Sequence, residues 1–61
     1  MGYTLKGARV NAGYTQTEVS EKLGVGVCAI SDWERGKRYP SVITAKKMAD
    51  LYGVTLNDFI F

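Results

Sequence analysis

The sequence predicts a compact all-α domain of five short helices, with residues 1–61 forming a single unit. Apolar residues recur three or four positions apart instead of alternating with polar ones, a spacing that is typical of amphipathic helices. Glycine follows four of these stretches, at Gly13, Gly24, Gly36 and Gly53, where it can end a helix in the left-handed conformation. A chain of 61 residues is also too short for two hydrophobic cores, so we expect one domain.

Each helix is assigned from its apolar face and from the residues that can begin or end it. The predicted helices cover residues 4–12, residues 16–23, a stretch ending at Gly36, a stretch from Ser41 to about Tyr52, and a short stretch after Thr55. The side chains expected to face the core are Leu5, Ala8, Ala12, Val19, Leu23, Ile30, Trp33, Ala45, Met48, Ala49, Tyr52, Leu56, Phe59 and Ile60. No stretch alternates strictly enough to predict a strand.

The start of the second helix carries the clearest local signal. Thr15 and Glu18 have the spacing of a capping box, in which the threonine hydroxyl accepts a hydrogen bond from the Glu18 backbone N–H. The Glu18 carboxylate accepts one from the Thr15 backbone N–H in return. Tyr14 and Val19 fit the apolar contact that accompanies this motif, so the helix is expected to begin at Gln16.

Residues 16–35 have the spacing of a helix-turn-helix. Counted from Gln16, apolar residues occupy the fourth, eighth, tenth, fifteenth and eighteenth places, with Ser20 in the fifth and Gly24 in the ninth. A small residue at Ser20 lets two helices cross closely, Gly24 permits a sharp reversal, and the apolar groups seal the corner. An αα-hairpin inside another kind of small helical bundle is the alternative interpretation of the same spacing.

Composition argues against several other classes of protein. The chain has no histidine and one cysteine, so it lacks the Ser–His and Cys–His pairs of nucleophilic catalysis and has almost no ligands for a zinc site. We therefore expect no catalytic residue, metal, cofactor or small-molecule substrate. The apolar stretches are far shorter than the roughly 20 residues of a membrane helix, and a signal-peptide pattern is lacking, so no membrane association and a cytoplasmic location are expected. A net charge of +2 does not by itself indicate a polyanionic partner.

The segments TQTEVSEKLGVGVCAISDWERGKRYPS and GVTLNDFI resemble the phage-repressor and Cro-like helix-turn-helix family, of XRE type. The resemblance spans nearly the whole chain. It implies a five-helix, lambda-repressor-like domain whose third helix lies in the major groove of double-stranded DNA. It also implies a transcriptional regulator, typically a repressor, that acts as a homodimer. Because one helix reads only a few base pairs, such a dimer is expected to bind a palindromic operator.

The resemblance also assigns roles to individual residues. The family glutamine at the start of the second helix matches Gln16, which is expected to contact a phosphate together with the positive end of the helix dipole. Thr17, beside it, is included among the predicted DNA contacts. Arg9 and Glu34 occupy the places of a salt bridge that is structural in the family, with two independent surface charges as the alternative.

The outer face of the third helix and the residues after it complete the predicted DNA interface: Val27, Cys28, Ser31, Asp32, Arg35, Lys37 and Arg38. The three cations are expected to meet phosphates, with a solvated basic loop as the alternative. The helical face itself is poor in hydrogen-bond donors. Val27 and Cys28 offer apolar contact to thymine methyl groups, Ser31 a hydroxyl, and Asp32 only an acceptor, for a cytosine amine or for Arg35.

This shortage of donors leaves two functions open. The favoured one is DNA binding through phosphates, methyl contacts and duplex shape. The other is a protein–protein adaptor with weak or no DNA binding, in which Val27 and Cys28 dock on a partner. Salt distinguishes them, because phosphate contacts weaken steeply as salt rises and apolar contacts do not. The apolar C-terminal residues Phe59, Ile60 and Phe61 are expected to join a dimer interface, to complete the core, or to mark the point where a longer protein was truncated.

Overall fold

The computed structural model describes residues 2–59, and within them the regular structure is helical. The helices are α1 (Leu5–Asn11), α2 (Gln16–Leu23), α3 (Val27–Glu34) and α4 (Val42–Tyr52), followed by one 3-10 turn at Leu56–Asp58. The predicted all-α class is confirmed. The described residues contain four α-helices, however, where the sequence predicted five.

The fifth predicted helix is reduced to this 3-10 turn, because the chain becomes extended after three residues. Thr55 does supply a start signal: its backbone N–H donates to Asp58 Oδ2 at 3.0 Å, and this hydrogen bond holds the pKa of the Asp58 carboxyl below its usual value. Phe59 then adopts φ −79° and ψ 139°, an extended conformation that lets it form an isolated parallel bridge with Tyr3. That pairing with the start of the chain prevents a second helical turn.

Polar side chains at the helix starts fix where three of the four helices begin. Thr4 and Ser41 cap α1 and α4 by accepting backbone N–H groups at 2.9 and 3.2 Å. The capping box of α2 is present, with Thr15 Oγ1 accepting from the Glu18 N–H at 3.1 Å and Glu18 Oε1 accepting from the Thr15 N–H at 2.9 Å. The second of these bonds lowers the pKa of the Glu18 carboxyl. Helix α3 begins after Gly26 and has no side-chain cap.

A tight corner joins α2 to α3. Only three residues separate the two helices, and Gly24 makes the reversal with φ 70° and ψ 30°, a conformation that is costly for other residues. The Gly24 N–H donates to the Ser20 carbonyl at 2.9 Å, and the Ser20 hydroxyl donates to the Val25 carbonyl. Ser20 therefore does more than allow close approach, because its hydroxyl also satisfies a carbonyl within the corner.

The core lies between the four helices, where α1 and α2 each pack against both α3 and α4. Val19, Ile30 and Met48, from α2, α3 and α4, are completely buried, and each contributes roughly 1.5–3 kcal/mol through removal of its side chain from water. The other buried apolar residues are Leu5, Ala8, Ala45, Ala49, Tyr52 and Phe59. Four residues predicted to face inward are only partly buried and pack around this cluster: Ala12, Leu23, Trp33 and Leu56.

Phe59 closes the core at the end of the described chain. It is 8% exposed and packs edge to face on Tyr52, with ring centroids 6.4 Å apart and an interplanar angle of 84°. Phe59 thus completes the core and is not available to a dimer interface, whereas Ile60 and Phe61, predicted with it, lie outside the described residues. The Tyr52 hydroxyl is buried without a hydrogen-bond partner among the described residues, and its burial, reinforced by the charge of Glu34, raises the pKa of Tyr52 to about 12.

Candidate nucleic-acid interface

The outward side of α3 carries the residues predicted to read bases. Val27 and Cys28, in the first turn, are exposed, and Val27 retains 39% of its accessible surface. Ser31 and Asp32, one turn later, are partly buried and still reach solvent. Ile30 points the other way and is completely buried. The core thus fixes the inner side of the helix and leaves the outer side open to a partner.

The end of α3 turns back in a Schellman motif. Gly36, with φ 76°, donates its N–H to the Trp33 carbonyl at 3.3 Å, and the Lys37 N–H donates to the Asp32 carbonyl at 2.9 Å. These two bonds satisfy carbonyls that the helix itself leaves without partners, so the residues after Glu34 are held against the helix end. The turn carries the three predicted phosphate-binding cations, Arg35, Lys37 and Arg38, all of them exposed.

Arg9 of α1 and Glu34 of α3 form an ion pair inside the protein. Arg9 Nε lies 2.7 Å from Glu34 Oε2, and Arg9 Nη2 donates to Glu34 Oε1 at 3.3 Å. Arg9 Nη1 donates to the Tyr14 carbonyl at 2.8 Å. The two side chains expose only 10% and 2% of their surface. The structure therefore brings together the two residues that were predicted to form a salt bridge. The contacts of Arg9 connect α1 to α3 and to the turn before α2.

Gln16 joins the same network from the start of α2. It is partly buried, and its Nε2 donates to Glu34 Oε1 at 3.0 Å. A primary amide carries two N–H groups, so a bond to Glu34 occupies one of them and leaves the second for another acceptor. Thr17, the next residue, is exposed. The sequence assigned Gln16 to a phosphate but did not indicate that Glu34 would orient its side chain.

A second ion pair lies at the surface of α3. Arg38 Nε is 3.2 Å from Asp32 Oδ2, and the two side chains expose 58% and 32% of their surface. From the sequence, Asp32 was expected to accept from Arg35 or from a cytosine amine. The structure pairs it with Arg38, because the turn at Gly36 brings the chain back over the end of the helix.

Neither metal ligands nor membrane-spanning segments contribute to the described site. Residues 2–59 hold no group of three or more histidine, cysteine, aspartate or glutamate residues that could bind a metal ion. In the same range no helix has the length and apolar character needed to cross a membrane, and the longest, α4, has 11 residues. The site consists of the outer face of α3, the start of α2 and the cationic turn.

A family model described as helix-turn-helix matches residues 5–59, which include all four helices and the 3-10 turn. The chain belongs to the XRE-type helix-turn-helix family. This helix-turn-helix domain is 46% identical over 55 residues to the HTH-type transcriptional regulator ImmR of Bacillus subtilis (strain 168), with 90% of the chain and 43% of that protein covered. It is 34% identical over 56 residues to the HTH-type transcriptional activator BcrR of Enterococcus faecalis, with 92% of the chain and 28% of that protein covered. The chain thus spans less than half the length of either relative.

Two contacts of the helix-turn-helix domain were missed in the sequence: Gln16 with Glu34, and Asp32 with Arg38. The first joins residues 18 positions apart on different helices, and the second joins a helix to the turn that follows it. The spacing of apolar residues within one helix predicts neither contact. The signal for the second was the pair Gly36 and Lys37, since a glycine that ends a helix in a Schellman motif folds the next residues back over the last turn.

Proposed function

We propose that this domain binds double-stranded DNA sequence-specifically, with α3 inserted in the major groove, and that it acts as a repressor-type transcriptional regulator of the Cro-like kind. The observation that carries the proposal is the exposed outer face of α3 continuing directly into an exposed cationic turn. Family membership supports it, because helix-turn-helix domains dock the second helix of the motif in this groove. A domain seated there represses by occupying DNA that the transcription machinery needs.

Phosphate binding supplies most of the affinity in this proposal. Arg35, Lys37 and Arg38 meet the backbone beside the groove, and each neutralised phosphate adds about 0.9 to the slope of log affinity against log salt. Gln16 donates its second amide hydrogen to a phosphate at the start of α2, where the helix dipole also favours negative charge. Thr17 lies beside it at the same helix end and offers a hydroxyl.

Base recognition falls to the outer face of α3. Val27 and Cys28 contact thymine methyl groups, Ser31 bonds to a base edge, and Asp32 accepts from a cytosine amine. These few contacts read only a few base pairs, which favours a homodimer on a palindromic operator with half-sites roughly 34 Å apart. The Cα atoms of one domain extend 27 Å along the longest axis, so two copies fit side by side at that spacing.

The test is selection of bound duplexes from a random pool, followed by affinity measurements at several salt concentrations. We expect an enriched palindrome and a log–log salt slope that Lys37→Ala reduces by about 0.9 on every duplex. Lys47→Ala is the matched control, since it removes one exposed lysine from α4, outside the proposed interface.

A pool without any enriched sequence, or an affinity indifferent to salt, contradicts DNA recognition. Salt-independent binding of a protein partner through Val27 and Cys28 instead supports the adaptor function. Equal slopes for the two lysine variants contradict the placement of the phosphate contacts at the turn after α3.

A further inference from the structure

The carboxylate of Asp32 lies inside the proposed DNA interface, where it forms an ion pair with Arg38. Arg38 is one of three exposed cations in the turn after α3, and its Nε lies 3.2 Å from Asp32 Oδ2. The backbone keeps the two residues close, since the Arg38 N–H also donates to the Asp32 carbonyl at 3.4 Å. The ion pair therefore forms with little additional ordering of the chain.

The position of Asp32 near the C-terminal end of α3 makes a neighbouring cation more favourable. Asp32 lies in the last turn of α3, where the helix dipole and the carbonyl groups make the environment negative. A carboxylate is unfavourable at that place unless a positive group neutralises it. Arg38 provides that neutralisation in the structure, with 58% of its side chain still exposed and reachable by solvent anions.

We propose that Asp32 is a specificity-determining residue, because it competes with DNA phosphates for Arg38. The inference rests on the proposed function. The guanidinium has enough N–H groups for both anions but only one positive charge, so a phosphate contact by Arg38 weakens its attraction to Asp32. Asp32 then lies beside the phosphates with its charge uncompensated, unless the base in front of it is a cytosine whose amine donates to it. The phosphate contact of Arg38 is thus made at lower cost on sequences that offer this cytosine.

The size of the effect follows from the exposure of the pair. In an exposed ion pair, the paired arrangement is favoured over the separated one by a factor of up to about five in the equilibrium constant. Release of Arg38 therefore raises affinity for unrelated DNA by about two- to fivefold, and it adds up to about 0.9 to the salt slope if one more phosphate is neutralised. On the operator the gain is offset, because the neutral amide of an Asp32→Asn variant accepts from the cytosine amine more weakly than the carboxylate does.

The experiment compares Asp32→Asn, Arg38→Gln and the double variant with the unmodified chain. Each protein is titrated against the duplex recovered by the selection and against a duplex of the same composition in shuffled order. We expect Asp32→Asn to increase affinity for the shuffled duplex two- to fivefold and to leave affinity for the selected duplex unchanged or lower. In the Arg38→Gln background the same change produces no gain. Asp50→Asn is the control, since Asp50 pairs with Lys46 on α4 at 2.8 Å and its loss removes an equal charge.

Three results overturn the proposal. A gain of equal size with and without Arg38 shows simple repulsion between Asp32 and phosphates. A gain of equal size on both duplexes removes the role in specificity, and a gain matched by Asp50→Asn shows an effect of net charge alone. If the unmodified chain binds neither duplex, the proposed function fails as well, whereas the three results above leave it standing.

Discussion

Replacement of Arg9 by methionine should remove most of the stability of this domain. Arg9 bonds twice to Glu34 and once to the Tyr14 carbonyl, at 2.7, 3.3 and 2.8 Å. Without it, Glu34 is a carboxylate with 2% of its side chain exposed that keeps the hydrogen bond from the Gln16 amide but has lost its cation. Loss of one partner from a buried ion pair costs about 3–5 kcal/mol, because the other charge stays buried and uncompensated.

That cost is comparable with the total stability expected of the domain. At about 0.05–0.15 kcal/mol per residue, a chain of 61 residues has a free energy of unfolding of about 3–9 kcal/mol. The measurement is urea unfolding, followed by the fluorescence of the single tryptophan, Trp33, and by far-UV circular dichroism. We expect Arg9→Met to lower the unfolding midpoint steeply, to the point that part of the population is unfolded without urea.

Two controls separate burial from the loss of a charge. Lys46→Met breaks the pair with Asp50 on α4, whose side chains are 61% and 64% exposed, and should cost less than about 1 kcal/mol. The double variant with Arg9→Met and Glu34→Met removes both buried charges and should recover much of the lost stability. If Arg9→Met costs no more than Lys46→Met, or if the double variant is less stable than Arg9→Met alone, the reasoning about the buried pair is refuted.

Two further predictions concern the backbone and the core. Gly24→Ser should destabilise the domain by about 1–2 kcal/mol, because Gly24 has φ 70°, while Gly26→Ser should stabilise it by a few tenths of a kcal/mol by adding a cap to α3, since nothing lies within 4 Å of a Cβ at either position. Thermal or urea unfolding measures both, and a shared sign for the two changes would contradict the backbone argument. Tyr52→Phe removes a buried hydroxyl that has no hydrogen-bond partner within residues 2–59, so stability at pH 7 should be unchanged or higher by up to about 1 kcal/mol. The pKa of Tyr52 rises from 10.0 to about 12 on folding, so the hydroxyl ionises more readily in the unfolded chain. Its ionisation therefore leaves the free energy of unfolding unchanged below pH 10 and lowers it between pH 10 and 12, by at most about 3 kcal/mol. The phenylalanine variant should lack this part of the alkaline loss, and identical alkaline curves would show that Tyr52 is not buried in this way.

Local hydrogen-bond chemistry explains why so much of the fold could be predicted from the sequence. Thr15 and Glu18 announce the start of α2 because the capping box needs only neighbouring residues. Gly24 and Gly36 mark the ends of α2 and α3 because few other residues take a positive φ. The last predicted helix is only a 3-10 turn, and it ends where Phe59 pairs with Tyr3, a contact distant in sequence that no local pattern predicts.

The exposure of the outward positions on α3 could be predicted from the sequence, whereas the contacts of the candidate site residues could not. Exposed positions on α3 follow from helical periodicity once Ile30 is assigned to the core. The ion pair of Asp32 with Arg38 could not be predicted from periodicity, because it depends on the path of the chain after Gly36. In the same way, the bond from Gln16 to Glu34 depends on how α2 crosses α3, which is set by packing in three dimensions.

The residues of α3 that stabilise the fold and those that face outward lie on separate sides of the helix. Ile30 and Glu34 hold the helix in place through the core and the buried charges, whereas Val27 and Cys28 take no part in either. Substitutions at such exposed positions alter stability by only about 0.5 kcal/mol or less. A new repertoire of targets can therefore arise by exchange of a few outward side chains on an unchanged scaffold, which makes this small domain a suitable starting point for retargeting by design.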